Sequence, residues 1–188
     1  MATGTMTEAP PEERAVEPAG LYEVVDGEVR EVPHMGAFEA ELAMLLGRML
    51  DVFAREHGLG RAAVEMLFRI DPGRKLQRRP DVAFVSAARW PIDRRAPRAA
   101  AWDVVPDLAV EVISPTNQTG DDAVKLEDYF RAGVRAVWIV HPAVEKVYAY
   151  DSPTAVRILA RGDTLDGGAL LPGFRLAVAD LFGPEEPR

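Results

Sequence analysis

The chain predicts an α/β (α+β) domain, a mixed β-sheet with helices packed against it. Three observations carry that expectation. Apolar runs of strand length alternate with two stretches of helical period. One run, "DLAVEVIS", is almost continuously apolar, as a central strand covered on both faces must be. No internal repeat or long linker interrupts the 188 residues, a length that suits one core.

Taken in order, "MATGTMTEAPPEERAVEPAG" is acidic and Pro-rich and reads as a flexible leader over residues 1–20. A single domain is expected over 21–182, and 183–188 is expected to fray. "LYEVVDGEVREVP" gives two extended runs about a DG turn, a hairpin signal. From Met35 to His57, Phe38, Leu42, Leu45, Met49 and Phe53 follow one helical face. "AAVEMLFRI" and "RPDVAFVSAARW" are strand-like, separated by the charged turn "DPGRKLQR", and a basic excursion fills 86–105. After "DLAVEVIS" a helix is expected from about Asp121 to Ala132, with acids in its first turn and Gly133 at its end. "AVWIV", "KVYAYD" and "AVRILA" read as further strands, and "LLPGFRLAVADLF" as a short strand with an apolar anchor. The predicted order is β-β-α-β-β-β-α-β-β-β.

Composition narrows the chemistry. The chain has no cysteine, which excludes disulfides and thiolate catalysis. No apolar run approaches the roughly 20 residues that cross a bilayer, so a cytoplasmic protein without membrane association is expected. A net charge of -8 argues against coating nucleic acid by bulk electrostatics. Locally the balance reverses: from Arg69 to Arg98 nine Arg or Lys face three Asp, a net +6.

Glu111 stands inside the most apolar strand, where a carboxylate costs several kcal/mol unless something positive meets it. Strand alternation puts Asp81 with Ala83 and Val85, and Glu111 with Ala109 and Ile113. If the two strands pair with these carboxylates on one face, Asp81 and Glu111 can share a divalent cation. The backbone carbonyl of Val112 or Ile113 would then add a hard oxygen ligand. Glu28, at the far end of the first hairpin, is a third acidic candidate. Lys125 follows on the helix that the "SPTNQTG" turn brings back over the strand, where an ammonium can orient or polarise an attacking water. The chain holds three lysines against nineteen arginines, so a compact ammonium is a rare choice here. Tyr129 is one turn further, placed either to hydrogen-bond a carboxylate or phosphate or to pack on the sheet. Arg78 and Arg79 in "RRPD" adjoin the metal ligand. With Arg74, Arg89, Arg94, Arg95 and Arg98 they are either phosphate contacts or solvated surface. An unreactive ion pair between Glu111 and an arginine is the competing reading.

The ordered segments "YEVVDGEV", "RRPDVAFVS", "PDLAVEVISPTN", "KLEDYFRAGVRAVWIVHP" and "GDTLDGGALLPGFRL" together resemble the Uma-type family of restriction endonucleases, in the PD-(D/E)XK nuclease superfamily. The resemblance spans about Leu21 to Phe182. It implies a restriction-endonuclease-like fold, Mg²⁺ (or Mn²⁺ in its place) on Asp81 and Glu111, and DNA as substrate. Lys125 takes the catalytic lysine's role from the helix, with Glu28 as the additional acid and a homodimer as the assembly. Two positions depart from the pattern. Ile113 stands where the superfamily's strand lysine is usual, and Glu39 where the family often has a histidine, making Glu39 an additional candidate. His34 falls before the helix and reads as a turn residue, while His57 and His141 lack ligand spacing. The expected activity is therefore divalent-metal-dependent hydrolysis of DNA phosphodiesters. The alternative is a catalytically inactive domain of the same fold, acting as a nucleic-acid or protein interaction module.

Overall fold

The computed structural model describes residues 20–114 and 121–184. The leader before Gly20, the residues 115–120 of the expected turn and the last four residues lie outside this range. Along the described chain run β1 (Tyr22–Val25), β2 (Glu28–Glu31), α1 (Ala37–Glu56), β3 (Gly60–Val64), β4 (Phe68–Asp71), β5 (Leu76–Arg78), β6 (Val82–Ser86) and β7 (Leu108–Val112). Then follow α2 (Asp121–Ala132), β8 (Ala136–His141), β9 (Lys146–Ser152), β10 (Ala155–Leu159), β11 (Thr164–Asp166), β12 (Arg175–Ala177) and α3 (Val178–Phe182).

The mixed α/β class is as expected, but the strands divide among three sheets. The central sheet is six-stranded, in the order β10-β9-β8-β7-β6-β3. Only β7 and β8 run parallel, and α2 is the crossover that parallel neighbours require. A four-stranded antiparallel sheet, β2-β1-β5-β4, forms a second layer, and β11 pairs with β12. The run "AAVEMLFRI" divides between two of these sheets. Glu65, at φ 49°, breaks it, so β3 joins the central sheet and β4 the second. The hairpin turns on Asp26 and Gly27, both at positive φ, as a two-residue turn between twisted strands demands.

Helix α1 covers one face of the central sheet. Its buried stripe is Leu42, Leu46 and Leu50 with Ala43, Gly47 and Ala54; it shares Leu42 with the expected line, whose Leu45, Met49 and Phe53 are half-buried beside it, and Phe38 is 45% exposed. Against it lie Val82, Phe84, Leu108, Val110, Val112 and Trp138. Gly47 permits this approach, because a Cβ there would meet the Val64 side chain at 2.6 Å. The opposite face of the same strands carries Ala83, Val85, Ala109, Val137 and Ile139. It packs on Leu126 and Tyr129 of α2 and on Val25, Phe68, Ile70 and Leu76 of the second sheet. Among the described residues no helix is long and apolar enough to cross a membrane.

Candidate active site

The "RRPD" segment is the chain's passage from the second sheet to the central one, from Arg78 at the end of β5 to Val82 at the start of β6. The antiparallel register of β6 on β7 sets Ala83 against Ala109 and Val82 against Val110. Asp81, the residue before β6, and Glu111 of β7 line one cleft, so the two carboxylates stand on a common side. Asp81 Oδ2 accepts the Val112 N–H at 2.6 Å, fixing that carboxylate across the strand pair.

Helix α2 contributes three polar side chains from the i, i+3 and i+4 positions of one face, two of which meet Glu111. The Lys125 ammonium stands 3.0 Å from Glu111 Oε2, and the Tyr129 hydroxyl donates to Glu111 Oε1 at 2.5 Å. Asp128 bonds away from the pair, accepting from Arg78 at 2.5 Å and Arg74 at 2.8 Å. Gly133, at φ 94°, ends the helix, with Val134 N–H donating back to the Tyr129 carbonyl.

A further acid, outside the sequence-derived set, enters from β1. Glu23 is buried and binds Arg78 at 2.6 Å through Oε2. Its Oε1 accepts the Arg79 N–H at 2.9 Å and lies 3.4 Å from Lys125. Glu28 belongs to the same hairpin but is exposed, on the edge strand β2 opposite Val25, and does not line the site. The difference is positional: β1 is paired on both sides and carries Glu23 inward, whereas β2 ends the sheet. A signal for Glu23 was present in the sequence, as an acid alternating with Tyr22 and Val24 in an otherwise apolar strand.

Burial dominates the electrostatics. It raises Asp81, with help from the Glu111 charge, from 3.8 to about 7. Burial also pushes the Glu111 carboxyl upward, against the pull of Lys125. For Lys125 burial works against the charge, yet Glu111 and then Glu23 hold the ammonium well above the usual lysine range. The Tyr129 phenol is pushed up by burial and by Glu111, so it remains a donor. Arg78 is likewise opposed by burial and held ionised by Glu23 and Asp128.

The remaining expected residues fall elsewhere. Arg78 is closed off in its two ion pairs, and Arg79 donates to the Tyr22 and Glu65 carbonyls. Arg89 braces buried Asp107 at 3.1 Å and caps backbone carbonyls, and Arg94 stacks 3.7 Å over the Trp90 ring. Tyr129 is buried against Glu111. Glu39 is buried in the first turn of α1 and faces a different groove, with Phe38, Leu42 and Leu181. Ile113 lines that same groove, just past the end of β7. His57 Nδ1 donates to the Phe53 carbonyl on α1, and the His141 ring lies tilted against Tyr148; neither lines the carboxylate cleft. His34 does reach the site: with Arg30, Glu31 and Met35 it lines a cleft of about 420 Å³ whose floor is Glu23, Asp81, Glu111 and Lys125.

Among the described residues no three His, Asp or Glu side chains converge as a ready-made metal cage. The Asp81 and Glu111 carboxylates line one cleft with Val112, and carboxylate and backbone carbonyl oxygens are hard donors. This set suits Mg²⁺, which usually keeps several waters and takes one or two carboxylates from the protein.

A mixed sheet covered on both faces, with an Asp–Glu pair at the end of two adjacent strands and a lysine over it, defines a restriction-endonuclease-like α/β protein of the PD-(D/E)XK-related superfamily. The chain belongs to the Uma2 family, described as "Putative restriction endonuclease", whose model matches residues 10–179. It is similar to a crystal structure from Anabaena variabilis ATCC 29413 described as "a putative nuclease belonging to DUF820", with a TM-score of 0.75 and 15% identity. That likeness covers 86% of this chain and 89% of the other, and at this identity it speaks to the fold alone. No curated protein matches the chain.

Proposed function

We propose that this protein is a divalent-metal-dependent endonuclease that hydrolyses DNA phosphodiester bonds. The observation that carries the reading is that Asp81 and Glu111 line one cleft, with the Lys125 ammonium 3.0 Å from Glu111. Asp81, Glu111 and the Val112 carbonyl would hold Mg²⁺ or Mn²⁺. The bound ion supplies charge neutralisation at the scissile phosphate and a more acidic water. Lys125 holds a proton and a positive charge beside that position, so it orients the attacking water and stabilises charge developing on phosphate oxygens. Tyr129 and Glu23 act through their neighbours: Tyr129 fixes the Glu111 carboxylate, and Glu23 holds Lys125 and Arg78 in place. A homodimer would present one such cleft to each strand of a duplex, and the domain boundaries at 21 and 182 belong to the same proposal.

Both Glu111 oxygens are already bonded, which is also how a purely structural ion pair would look. That observation supports a second reading, an inactive domain that binds nucleic acid or protein. Glu111→Gln separates the two, since it keeps the side chain's shape and removes its charge. Mg²⁺-dependent cleavage should fall at least about 100-fold while the circular dichroism spectrum is retained. Cleavage at the parent rate would overturn the assignment, and parent protein that neither cleaves DNA nor binds Mg²⁺ by calorimetry would favour the inactive module.

A further inference from the structure

Resting on the nuclease reading, one question is which side chains meet the phosphates of the substrate. The internal pairing of Arg74, Arg78, Arg79 and Arg89 removes them. Of the rest, Arg69 stands on β4, 3.9 Å from Asp103, and Arg94, Arg95 and Arg98 stand on the loop after β6; none of them lines the cleft. Asp81 precedes β6 and Ser86 ends it, where Ser86 N–H meets Asp107 at the start of β7. Five residues of strand, roughly 17 Å at about 3.3 Å per residue, separate the two ends.

We propose that Arg30 and His34 are the phosphate-contacting residues of the cleft, holding the backbone of a nucleic acid on either side of the scissile bond. Both are exposed, and both line the cleft above Asp81 and Glu111. Arg30 is directly opposite Glu23 in the hairpin, and cross-strand partners share a face, so it is on the side of the sheet that Glu23 turns toward the site. The oxygens of Glu23 are taken by Arg78, Arg79 and Lys125, and Arg30 is left facing solvent. Among the described residues neither the Arg30 nor the His34 side chain makes a hydrogen bond or ion pair. A guanidinium in that state can grip a phosphate with two parallel N–H bonds.

Charge requires such a contact. The chain is at -8 overall, and the cleft holds three carboxylates, of which Glu23 and Glu111 already engage Arg78 and Lys125. A polyanion therefore approaches only where uncommitted positive charge faces the solvent. Residues 30–35 line the same cleft as Asp81 and Glu111, so a backbone gripped by Arg30 and His34 lies beside that carboxylate pair.

The test is binding of a fluorescein-labelled DNA duplex to the full chain, by anisotropy over a series of salt concentrations, with Ca²⁺ replacing Mg²⁺ to hold off cleavage. Parent protein, Arg30→Ala, His34→Ala and Arg98→Ala are compared. Arg30→Ala should bind about tenfold more weakly, with the slope of log affinity against log salt reduced by about 0.9. His34→Ala should show a smaller loss, and Arg98→Ala should bind like the parent. Parent-like binding by Arg30→Ala, with weakening by Arg98→Ala, would overturn the proposal and leave the nuclease reading standing. Absence of DNA binding by the parent would overturn both.

Discussion

Strands β6 and β7 present two faces built to different rules. Toward α1 they offer Val82, Phe84, Leu108, Val110 and Val112, and the helix answers with Leu42, Leu46 and Leu50. Toward α2 the same strands offer Ala83 and Ala109, then Asp81 and Glu111, and the helix answers with Lys125, Leu126 and Tyr129. Hydrocarbon on the first face gains stability by area alone, at about 25 cal/mol per Å². Carboxylates on the second face lose hydration and recover it only through specific partners. One face therefore secures the fold, and the other holds groups that would be selected against for stability. The small residues at 83 and 109 belong to the second face because α2 and the second sheet must both close over it.

Replacing hydrocarbon on the α1 face should have the largest effect on stability. Phe84→Ala removes a fully buried ring and should lower unfolding free energy by about 3–5 kcal/mol, read from urea denaturation. A loss below about 1 kcal/mol would mean that this face does not carry the fold.

On the α2 face the corresponding change is Lys125→Met, which leaves Glu111 and Glu23 without their shared cation. It should cost roughly 2–3 kcal/mol at pH 8, and cleavage should fall by more than metal affinity does. The stability cost should shrink as pH falls, because Glu111 can then take up a proton and shed its charge. An equal cost at pH 5 and pH 8 would show that packing of the lysine stem, not charge, was lost.

Asp81→Asn should act in the opposite direction. Folding raises the Asp81 carboxyl from 3.8 to about 7, so the folded state binds this proton more tightly than the unfolded one. The favourable contribution of the protonated group is complete below about pH 4 and is lost as pH rises through 7. In the metal-free protein the asparagine should therefore stabilise by about 1–2 kcal/mol at pH 8 and by almost nothing at pH 4. Thermal melts in chelator at the two pH values measure the difference, and a variant less stable than the parent at pH 8 would contradict it.

These contrasts also mark how far the sequence could be read. Period-two alternation in "PDVAFV" and "LAVEV" was enough to put Asp81 and Glu111 on one side of their strands, and the pairing of β6 with β7 then brought both into one cleft. The helix over Asp121–Ala132 and the DG hairpin were equally legible, because capping acids, a terminal glycine and positive-φ turn residues act locally. The arginines were not legible. Charge in a sequence does not say whether a guanidinium meets solvent or a buried acid, and Arg78 and Arg89 turn out to brace Glu23, Asp128 and Asp107.

The sequence by itself determined the class of fold, the family and the Asp81–Glu111–Lys125 constellation, because strand and helix periods are properties of neighbouring residues. Only the tertiary structure decided that Glu23 and not Glu28 joins them, that the basic loop stands away from the cleft, and that Arg30 and His34 line it. Those outcomes depend on which strand of a hairpin is paired on both sides and on which end of a sheet a loop returns to. Both are set by long-range pairing that no local pattern encodes.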